Sequence, residues 1–404
     1  MYKKYFSILN KKINQKKLIY FDSACSYLKN NFTIKWINNY YKDYSCCSGD
    51  RWTSFLWTQL LEKINKCRKS VKKFINANID DYIIFTSWTT DSINKLIFSI
   101  NKKQIHTIIT SDLEHNSNYL PQYEYSKQYN IDFKIYSYKD ILDYEKLEKK
   151  IKKIKPWFLF CFTHSSNIIW YNFNIKDISN LVHKYWGYIL VDDAQYIAYN
   201  KEDVEENNID FLVFSAHKMW WPTWIWILYI KKWAEKILKN SNQVWWWTIK
   251  KIDSFVPIYK WFPYFFEWWV QNFAWILWLH ESIKFYKNIW VDNINKYVTN
   301  LSEYFWKKFD KNDLNNEFKI ISDKSSAIIT LKPLNFNSID FHLYCNYFLK
   351  NHIISFRTWT MCVDNYINTY LDKNINIFRL SFGIYNTKKE IDIFFDVLEE
   401  FLKK

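Results

Sequence analysis

Glycine is almost absent from this sequence, and tryptophan stands where glycine is normally required. The chain has 404 residues but only 3 glycines and 23 tryptophans, whereas an average protein contains about 7% glycine. Four tryptophans fall within SAHKMWWPTWIWILYI, residues 215–230, and two of them precede Pro222, where a turn is expected. Turns normally recruit glycine, asparagine or aspartate. Read literally, the sequence lacks the residues that a folded chain needs in its tight loops.

One hypothesis resolves this conflict: the gene uses a genetic code in which UGA specifies glycine, so that many printed tryptophans are glycines in the native chain. The 3 glycines and 23 tryptophans together number 26, close to the roughly 28 glycines of an average protein of this length. The tryptophans cluster in the loop-like segments 220–226, 245–247 and 268–269, whereas Trp36 and Trp233 can be genuine. The alternative is a truly tryptophan-rich protein that binds carbohydrate or membranes.

The remaining composition argues against several function classes. The net charge of +15 comes from dispersed lysines without an RNA or DNA motif, so we expect no nucleic-acid partner. The seven cysteines lack CxxC spacing, which argues against a zinc site or a disulfide framework. The N-terminus lacks the apolar core of a signal peptide, and the apolar segment 261–281 contains Glu267, Gln271 and Asn272. We therefore expect a cytoplasmic protein with no metal and no membrane partner.

Short apolar runs alternate with amphipathic helical stretches between about residues 60 and 230. This alternation predicts a mostly parallel central sheet with helices on both faces, an α/β fold. Helical spacing is found in the segments TDSINKLIFSI and NIKDISNLVHKY. The predicted strands are residues 82–86, 106–111, 133–138, 157–163, 188–194, 211–215 and 226–230.

The C-terminal part reads as a smaller α+β domain. It opens near residue 285 with one long helical pattern, continues through two strand-like runs and ends with the helix KKEIDIFFDVLEEFLKK. We predict an N-terminal segment over residues 1–30 that packs near the active site. A large domain over 31–284 and a small domain over 285–404 follow.

Polar and charged side chains follow nearly every predicted strand of the large domain. In open α/β sheets, ligands bind in the crevice beyond the carboxyl ends of the strands, so these side chains are expected to share one site. Lys218 can form a Schiff base with an aldehyde cofactor if its amine is desolvated. Asp192 is placed to hold a protonated pyridine nitrogen, and Thr89 and Thr90 lie where a helix N-terminus can bind phosphate. Singly, each residue also fits a surface or capping role.

With glycine read for tryptophan, nearly the whole chain resembles the cysteine desulfurases of the class-V aminotransferase family. The similarity is carried by YFDSACSYLK (20–29), FTSWTTDSIN (85–94), EHNSNYLP (114–121), THSSNIIW (163–170), VDDAQ (191–195), SAHKMWWPTWIWILY (215–229), FRTWTMC (356–362) and FRLSFGIYNTKKEID (378–392). This resemblance implies a pyridoxal 5′-phosphate (PLP)-dependent transferase of fold type I and a homodimer. L-cysteine is the implied substrate, and a sulfur-acceptor protein is an implied partner.

The resemblance also implies roles for individual residues. Lys218 is the lysine that binds PLP covalently and moves a proton at the substrate α-carbon, and Cys362 is the thiolate that takes the sulfur as a persulfide. Arg379 binds the substrate carboxylate, and Arg51 aligns with a family arginine at the substrate. The remaining cofactor residues are His115 stacked on the ring, Asn167 near ring and substrate, Asp192 at the ring nitrogen, Gln195 at the ring hydroxyl, and Thr89, Thr90, Ser215 and His217 at the phosphate.

Several positions depart from the family pattern. Thr360 and Met361 stand where histidines are frequent, Val270 replaces a phosphate-binding threonine of the other subunit, and Asp193 replaces a glycine. The function expected is a cysteine desulfurase that supplies sulfur for iron–sulfur clusters or thiolation. The alternatives are another class-V activity, such as selenocysteine lyase, aminotransferase or epimerase, and a non-catalytic binding protein. A buried, unreactive Cys362 would favour those alternatives.

Overall fold

The computed structural model describes residues 2–46, 54–169, 171–219, 223–239, 248–260, 262, 266–267, 271–289, 291–335, 338–371 and 376–403. Its strands are β1 Lys12–Ile13, β2 Lys16–Lys17, β3 Ile19–Tyr20, β4 Tyr82–Thr86, β5 Thr107–Ser111, β6 Asp132–Tyr136, β7 Phe158–Thr163, β8 Tyr188–Asp192, β9 Phe211–Ser215, β10 Trp226–Ile230, β11 Ile249–Asp253, β12 Val256–Tyr259, β13 Phe318–Ile320, β14 Ile328–Pro333, β15 Ile354–Ser355, β16 Arg357–Thr358 and β17 Phe378–Ser381.

The α-helices lie between these strands and at the C-terminus. They are α1 Asn31–Asp43, α2 Phe55–Phe74, α3 Thr89–Ser99, α4 Asn116–Tyr129, α5 Tyr138–Leu142, α6 Tyr144–Ile151, α7 Ile175–Lys184, α8 Phe273–Ile289, α9 Val291–Lys311, α10 Ser338–Asn346, α11 Asp364–Tyr370 and α12 Lys388–Leu402. Short 3₁₀ turns include Ala216–Met219, directly after β9. Within the described residues, no helix is both long enough and apolar enough to cross a lipid bilayer.

A seven-stranded sheet forms the centre of the protein, in the order β4-β10-β9-β8-β7-β5-β6. Strand β10 is antiparallel to both of its neighbours, and the pairings from β9 through β6 are all parallel. Strands β5, β7, β8, β9 and β10 are buried along their whole length, as expected for a sheet covered on both faces. The predicted mostly parallel α/β fold is confirmed.

The two faces of the sheet pack against different helices. Alternate strand residues point to opposite faces, so Ile84 and Leu190 join α3 and α4 in one apolar cluster. Ile83 and Val191 join the other cluster, which includes the buried face of α7 and the C-terminal region. The seven predicted strands agree with β4–β10 to within one or two residues at each end.

The C-terminal region forms an α+β unit around a second, four-stranded sheet. Its order is β13-β14-β17-β16, and α12 begins with a capping box between Thr387 and Glu390. The predicted helical segment is occupied by α8 and α9, on either side of residue 290, which lies outside the described residues. The proposed domain boundary at 284/285 lies within α8, and the division into domains stays a prediction.

The N-terminal segment contacts both the C-terminal region and the end of the central sheet. Strand β3 pairs in parallel with β15. The backbone N–H of Phe21 donates a hydrogen bond to the carbonyl of Ser355, and the carbonyl of Phe21 accepts one from the N–H of Ser381. This pairing carries residues 22–25 to the carboxyl end of the central sheet, where the polar side chains meet.

Candidate active site

One cavity of about 300 Å³ lies beyond the carboxyl ends of the central strands. Every sequence-predicted site residue within the described ranges lines it, whereas Arg51 and Val270 lie outside those ranges. The predicted residues at the cavity wall are Thr89, Thr90, His115, Asn167, Asp192, Gln195, Ser215, His217, Lys218, Cys362 and Arg379. Strand β9 and its 3₁₀ turn, strand β8, and the first turns of α3 and α4 therefore converge on one site.

Lys218 is placed by the 3₁₀ turn that ends strand β9. Desolvation in the pocket lowers the pKa of its ammonium group to about 8, although the nearby Asp192 carboxylate opposes that shift. An amine with this pKa is partly neutral near pH 7, which is the form that attacks a carbonyl. The fold thus supplies a nucleophilic lysine at the centre of the cavity.

Asp192 ends strand β8 on the neighbouring side of the cavity. Its Oδ1 accepts a hydrogen bond of 3.0 Å from the backbone N–H of Ala194, which fixes the carboxylate. Burial raises the pKa of Asp192, and the Lys218 ammonium limits the rise. A buried carboxylate with one backbone donor and a lysine nearby is suited to hold a cationic ring nitrogen.

His115 caps helix α4, and its Nδ1 accepts a 3.1 Å hydrogen bond from the backbone N–H of Ser117. Desolvation lowers the pKa of His115 to about 3, and the positive charges of Lys218 and Arg379 lower it further. The imidazole is therefore a neutral aromatic ring at neutral pH. Such a ring can pack against another planar ring without adding charge to the site.

The hydroxyls on one side of the cavity surround the start of helix α3. Thr89 Oγ1 lies 2.6 Å from Ser215 Oγ, which joins the helix N-terminus to the end of β9. Helix N-termini bind anions because their free N–H groups and the helix dipole point outward. Trp88 occupies the N-cap position and its indole packs on Trp224 and Trp226, with ring centroids 4.4 and 5.1 Å away. A large side chain thus lies beside the predicted phosphate position.

The opposite side of the cavity holds a buried arginine. Arg379 Nη1 donates a 3.0 Å hydrogen bond to the carbonyl of Asn167, and its Nη2 donates a 3.1 Å hydrogen bond to Asp22 Oδ1. Asn167 in turn donates through Nδ2 to the carbonyl of Met361 at 2.9 Å. The guanidinium is thereby held in place by the chain itself, and Asn167 connects it to the loop that carries Cys362.

Cys362 lies on an exposed loop between β16 and α11. Its backbone is left-handed, with φ of 61°, and Met361 and Trp359 precede it with φ of 53° and 81°. The carbonyl of Cys362 accepts a 2.7 Å hydrogen bond from the backbone N–H of Asn116. The loop is thus tied to α4 while the thiol stays open to solvent and to the cavity.

Sequence reasoning missed three residues at this site, namely Asp22, Cys25 and Arg357. Arg357 Nη2 lies 3.1 Å from Asp22 Oδ2 and also contacts Cys25 Sγ. Cys25 and Arg357 line the cavity. The motif FDSAC and the arginine in FRTWTMC were the available signals, but only the pairing of β3 with β15 brings them together.

A buried charged cluster lies behind Asp192. His164 Nδ1 lies 2.8 Å from Glu202 Oε2 and 3.1 Å from Asp193 Oδ1. Burial alone would lower the pKa of His164, but the two carboxyl groups outweigh it and raise the pKa to about 9. The backbone N–H of His164 donates a 3.0 Å hydrogen bond to the carbonyl of Asp192. The cluster therefore fixes the strand end on which Asp192 stands.

Comparisons with known proteins decide the family. The aminotransferase class-V family model matches residues 19–394. This chain belongs to that family. A probable cysteine desulfurase of Borreliella burgdorferi is 34% identical over 421 aligned residues, covering 100% of this chain and 96% of the relative. The cysteine desulfurase of Wigglesworthia glossinidia brevipalpis is 31% identical, covering 99% and 97%.

Solved structures of cysteine desulfurases share the fold of this class-V chain. The apo enzyme of Thermococcus onnurineus NA1 superposes with a TM-score of 0.84 at 24% identity, covering 96% of this chain and 95% of that one. The S-sulfonic acid form of CsdA from Escherichia coli gives 0.82 at 20% identity, covering 100% and 98%. The PLP-dependent transferase fold predicted from the sequence is confirmed.

The cavity also fits PLP, the cofactor of class-V aminotransferases. Four buried side-chain atoms at its wall have no hydrogen-bond partner among the described residues, namely Ser165 Oγ, Gln195 Oε1, His217 Nδ1 and Arg379 Nε. Buried polar groups are normally paired, so these atoms mark places for a polar ligand. The groups around these atoms also correspond to the parts of PLP. A lysine is available for the aldehyde, a carboxylate for the ring nitrogen, a neutral imidazole for the ring face, and hydroxyl groups for the phosphate.

Proposed function

We propose that this protein is a PLP-dependent cysteine desulfurase that converts L-cysteine to L-alanine and leaves a persulfide on Cys362. One observation carries the proposal: an exposed cysteine on a loop shares a cavity with Lys218, Asp192 and Arg379. Cys362 is close enough to Lys218 to influence the pKa of its ammonium group. The chain's full-length similarity to proteins named cysteine desulfurase supports the same function.

Different residues of the cavity would bind different parts of PLP. Lys218 Nζ would hold the aldehyde carbon covalently, Asp192 the ring nitrogen, and the neutral His115 ring one face. The phosphate would lie against Thr89, Thr90, Ser215 and His217, and Gln195 would reach the ring hydroxyl. When bound, PLP supplies an electron sink for bonds at the substrate α-carbon.

Substrate positioning falls to Arg379, whose guanidinium suits bidentate binding of the cysteine carboxylate. This requires Arg379 to exchange its contact with Asp22 for the substrate. Lys218, as a neutral amine, takes the proton from the substrate α-carbon. Asn167 Nδ2 donates a hydrogen bond to the carbonyl of Met361, which links the proposed substrate position to the Cys362 loop.

Cys362 would carry out the transfer of sulfur from the substrate. Its thiolate attacks the substrate sulfur, a sulfur–sulfur bond forms, and the bond between that sulfur and the substrate β-carbon breaks. The β-carbon keeps the electron pair, and protonation there gives alanine. The sulfur remains on Cys362 as a persulfide, and the exposed loop leaves it within reach of an acceptor protein.

A pair of variants tests this function. Lys218→Ala should lose the yellow colour of bound PLP together with all activity. Cys362→Ala should keep the colour and bind cysteine but release no sulfide, whereas another class-V activity would survive that change. Sulfide release by Cys362→Ala at the native rate would contradict the persulfide mechanism. A protein that stays colourless with native Lys218 would instead support a non-catalytic binding role.

We also propose a homodimer and a separate sulfur-acceptor protein in a reducing, cytoplasmic compartment. The hairpin of β11 and β12 supports the dimer because it exposes apolar side chains, with Ile252 64%, Phe255 99% and Val256 62% exposed. Adjoining apolar side chains of this kind usually mark an interface. Phe255→Asp should shift the native dimer toward monomer in light scattering, and a native chain that is monomeric would contradict the dimer.

The codon hypothesis gains support from the backbone at Trp186. Helix α7 ends with a Schellman motif, in which Gly187 N–H donates to Val182 O at 2.9 Å and Trp186 N–H to His183 O at 3.0 Å. Trp186 holds the left-handed position with φ of 61°, which is normally glycine. We propose that Trp186 and the other left-handed tryptophans are glycines in the native chain. Peptide mass spectrometry of the native protein tests this directly.

A further inference from the structure

A second cysteine faces the same cavity as Cys362. Cys25 is partly buried, carries a free thiol and lines the cavity wall. Like Cys362, it lies close enough to Lys218 to influence the pKa of the lysine ammonium group. Both thiols therefore line one cavity together with Lys218.

The sulfur of Cys25 has a cationic partner. The Arg357 guanidinium contacts Cys25 Sγ, and its position is fixed by Asp22 Oδ2 at 3.1 Å. A guanidinium beside a sulfur stabilises the negative charge that the sulfur carries when it attacks or leaves in an exchange reaction. Cys25 thus has a charged hydrogen-bond partner, which a cysteine that only fills apolar space lacks.

The two thiols differ in how open they are to solvent. The segment around Cys25 is anchored at three points: Ala24 N–H donates to Ser381 Oγ at 2.9 Å, Gln195 Nε2 donates to the carbonyl of Ala24 at 2.9 Å, and Tyr27 N–H donates to the carbonyl of His217 at 3.1 Å. Cys362 instead lies on an exposed loop. One thiol is fixed inside the site, and the other is open to solvent.

We propose that Cys25 accepts the sulfane sulfur from Cys362 and serves as an internal second persulfide carrier. The inference rests on the proposed function, since it needs the persulfide on Cys362. The Cys25 thiolate attacks the outer sulfur of that persulfide, the new bond joins it to Cys25, and the old bond to Cys362 breaks. Cys362 leaves as a thiolate, and the proton balance is unchanged. No oxidant or reductant is required.

This exchange has a consequence for turnover. Each side of the equilibrium contains one thiolate and one persulfide, so neither side is strongly favoured by the bonds themselves. Transfer to Cys25 frees Cys362 to attack a second cysteine while the first sulfur stays protected beside Arg357. A chain without an acceptor should therefore hold two sulfane sulfurs rather than one.

The experiment uses the native holoenzyme without an acceptor or added reductant, under anaerobic conditions. After reaction with excess L-cysteine, free thiols and persulfides are alkylated, the chain is digested, and the peptides are weighed. We expect one extra sulfur on the Cys25 peptide and one on the Cys362 peptide. Extra sulfur on Cys362 alone, or a disulfide between the two cysteines, would overturn the relay and leave the proposed function standing. Absence of sulfur from Cys362 would sink the proposed function itself.

Three variants sharpen the result. Cys25→Ser should form alanine in the first turnover but store half as much sulfane sulfur as the native chain. Cys362→Ala should leave the Cys25 peptide unmodified, since extra sulfur there would show that Cys25 attacks the substrate directly. Cys345→Ser, in α10 away from the cavity, is the matched control and should store the native amount. Retained PLP colour shows that each variant is folded. The peptide mass measurement on the native chain tests the proposal without any variant.

Discussion

The two sides of the cavity are built differently. The side that would bind PLP stands on strand ends and helix starts, where burial shifts the pKa values of Lys218, Asp192 and His115. The side that carries Cys362 is an exposed loop with left-handed residues at Trp359 and Met361. The groups with shifted pKa values are buried at strand ends and a helix start, while the thiol proposed to deliver sulfur is left accessible.

The largest expected effect tests the electrostatics of the strand-end side. Asp192→Asn removes the buried carboxylate opposite Lys218 but keeps its shape, and should lower kcat on the order of 10²-fold. Asp364→Asn, beside the Cys362 loop, is the matched control and should change kcat by less than about tenfold. Steady-state alanine formation measures both variants. Equal losses would show that the two sides are not electrostatically distinct.

The pH dependence of PLP binding to the apoprotein tests the desolvation of Lys218 on the strand-end side of the cavity. Because the pKa of Lys218 is lowered to about 8, its neutral amine fraction rises with pH up to that value and levels off above it. The rate at which apoprotein binds PLP covalently should therefore rise about tenfold between about pH 7 and pH 9. Stopped-flow absorbance measures this rate. A rate that keeps rising toward pH 10 would show that the pocket does not desolvate the lysine.

A smaller effect is expected at Trp88, which lies on the side that would bind PLP and is either a tryptophan or a glycine in the native chain. Trp88→Gly removes an indole beside the predicted phosphate position and should tighten PLP binding about fivefold, near 1 kcal/mol. Equilibrium titration of the apoprotein gives the Kd. Tyr82→Phe, at the far end of β4, should leave the Kd unchanged. Weaker PLP binding by Trp88→Gly would indicate that the indole belongs to the site.

The smallest effect concerns backbone strain on the loop side. Trp359 has φ of 81°, a left-handed conformation that is strained for tryptophan but not for glycine. Trp359→Gly removes this strain and adds some backbone entropy to the unfolded chain. The net result should be a free energy of unfolding that is higher by about 0.5–1 kcal/mol. Trp233→Gly is the contrast, because Trp233 packs on Tyr188 at 5.0 Å and its loss should destabilise the chain by about 1 kcal/mol. Urea unfolding measures both, and destabilisation by Trp359→Gly would argue for a genuine tryptophan there.

Much of the fold was readable from the sequence. Apolar runs such as YIIFT and FLVFS became β4 and β9 with their predicted bounds, because a strand buried on both faces needs a continuous apolar run. The polar residues after those strands met in one cavity, since parallel strands end at the same edge. The helical pattern after residue 282 is likewise occupied by helix, in α8 and α9, on either side of residue 290, which lies outside the described residues.

Local pattern could not reveal the contacts between distant segments. Asp22, Cys25 and Arg357 meet only through the pairing of β3 with β15, and Arg357 lies 332 positions from the cysteine that it contacts. The cluster of His164, Asp193 and Glu202 was equally hidden. Each of its residues reads as an ordinary polar loop residue until the fold buries all three together.

The sequence by itself determined the sheet, the order of functional groups along it and the conflict between tryptophan and tight turns. These depend on local periodicity and on the spacing of motifs, which are properties of a linear chain. Only the tertiary structure decided which charges are desolvated, which thiols share the cavity and which tryptophans sit at left-handed positions. Burial and backbone conformation arise from segments packing together, so they have no signature in any one segment alone.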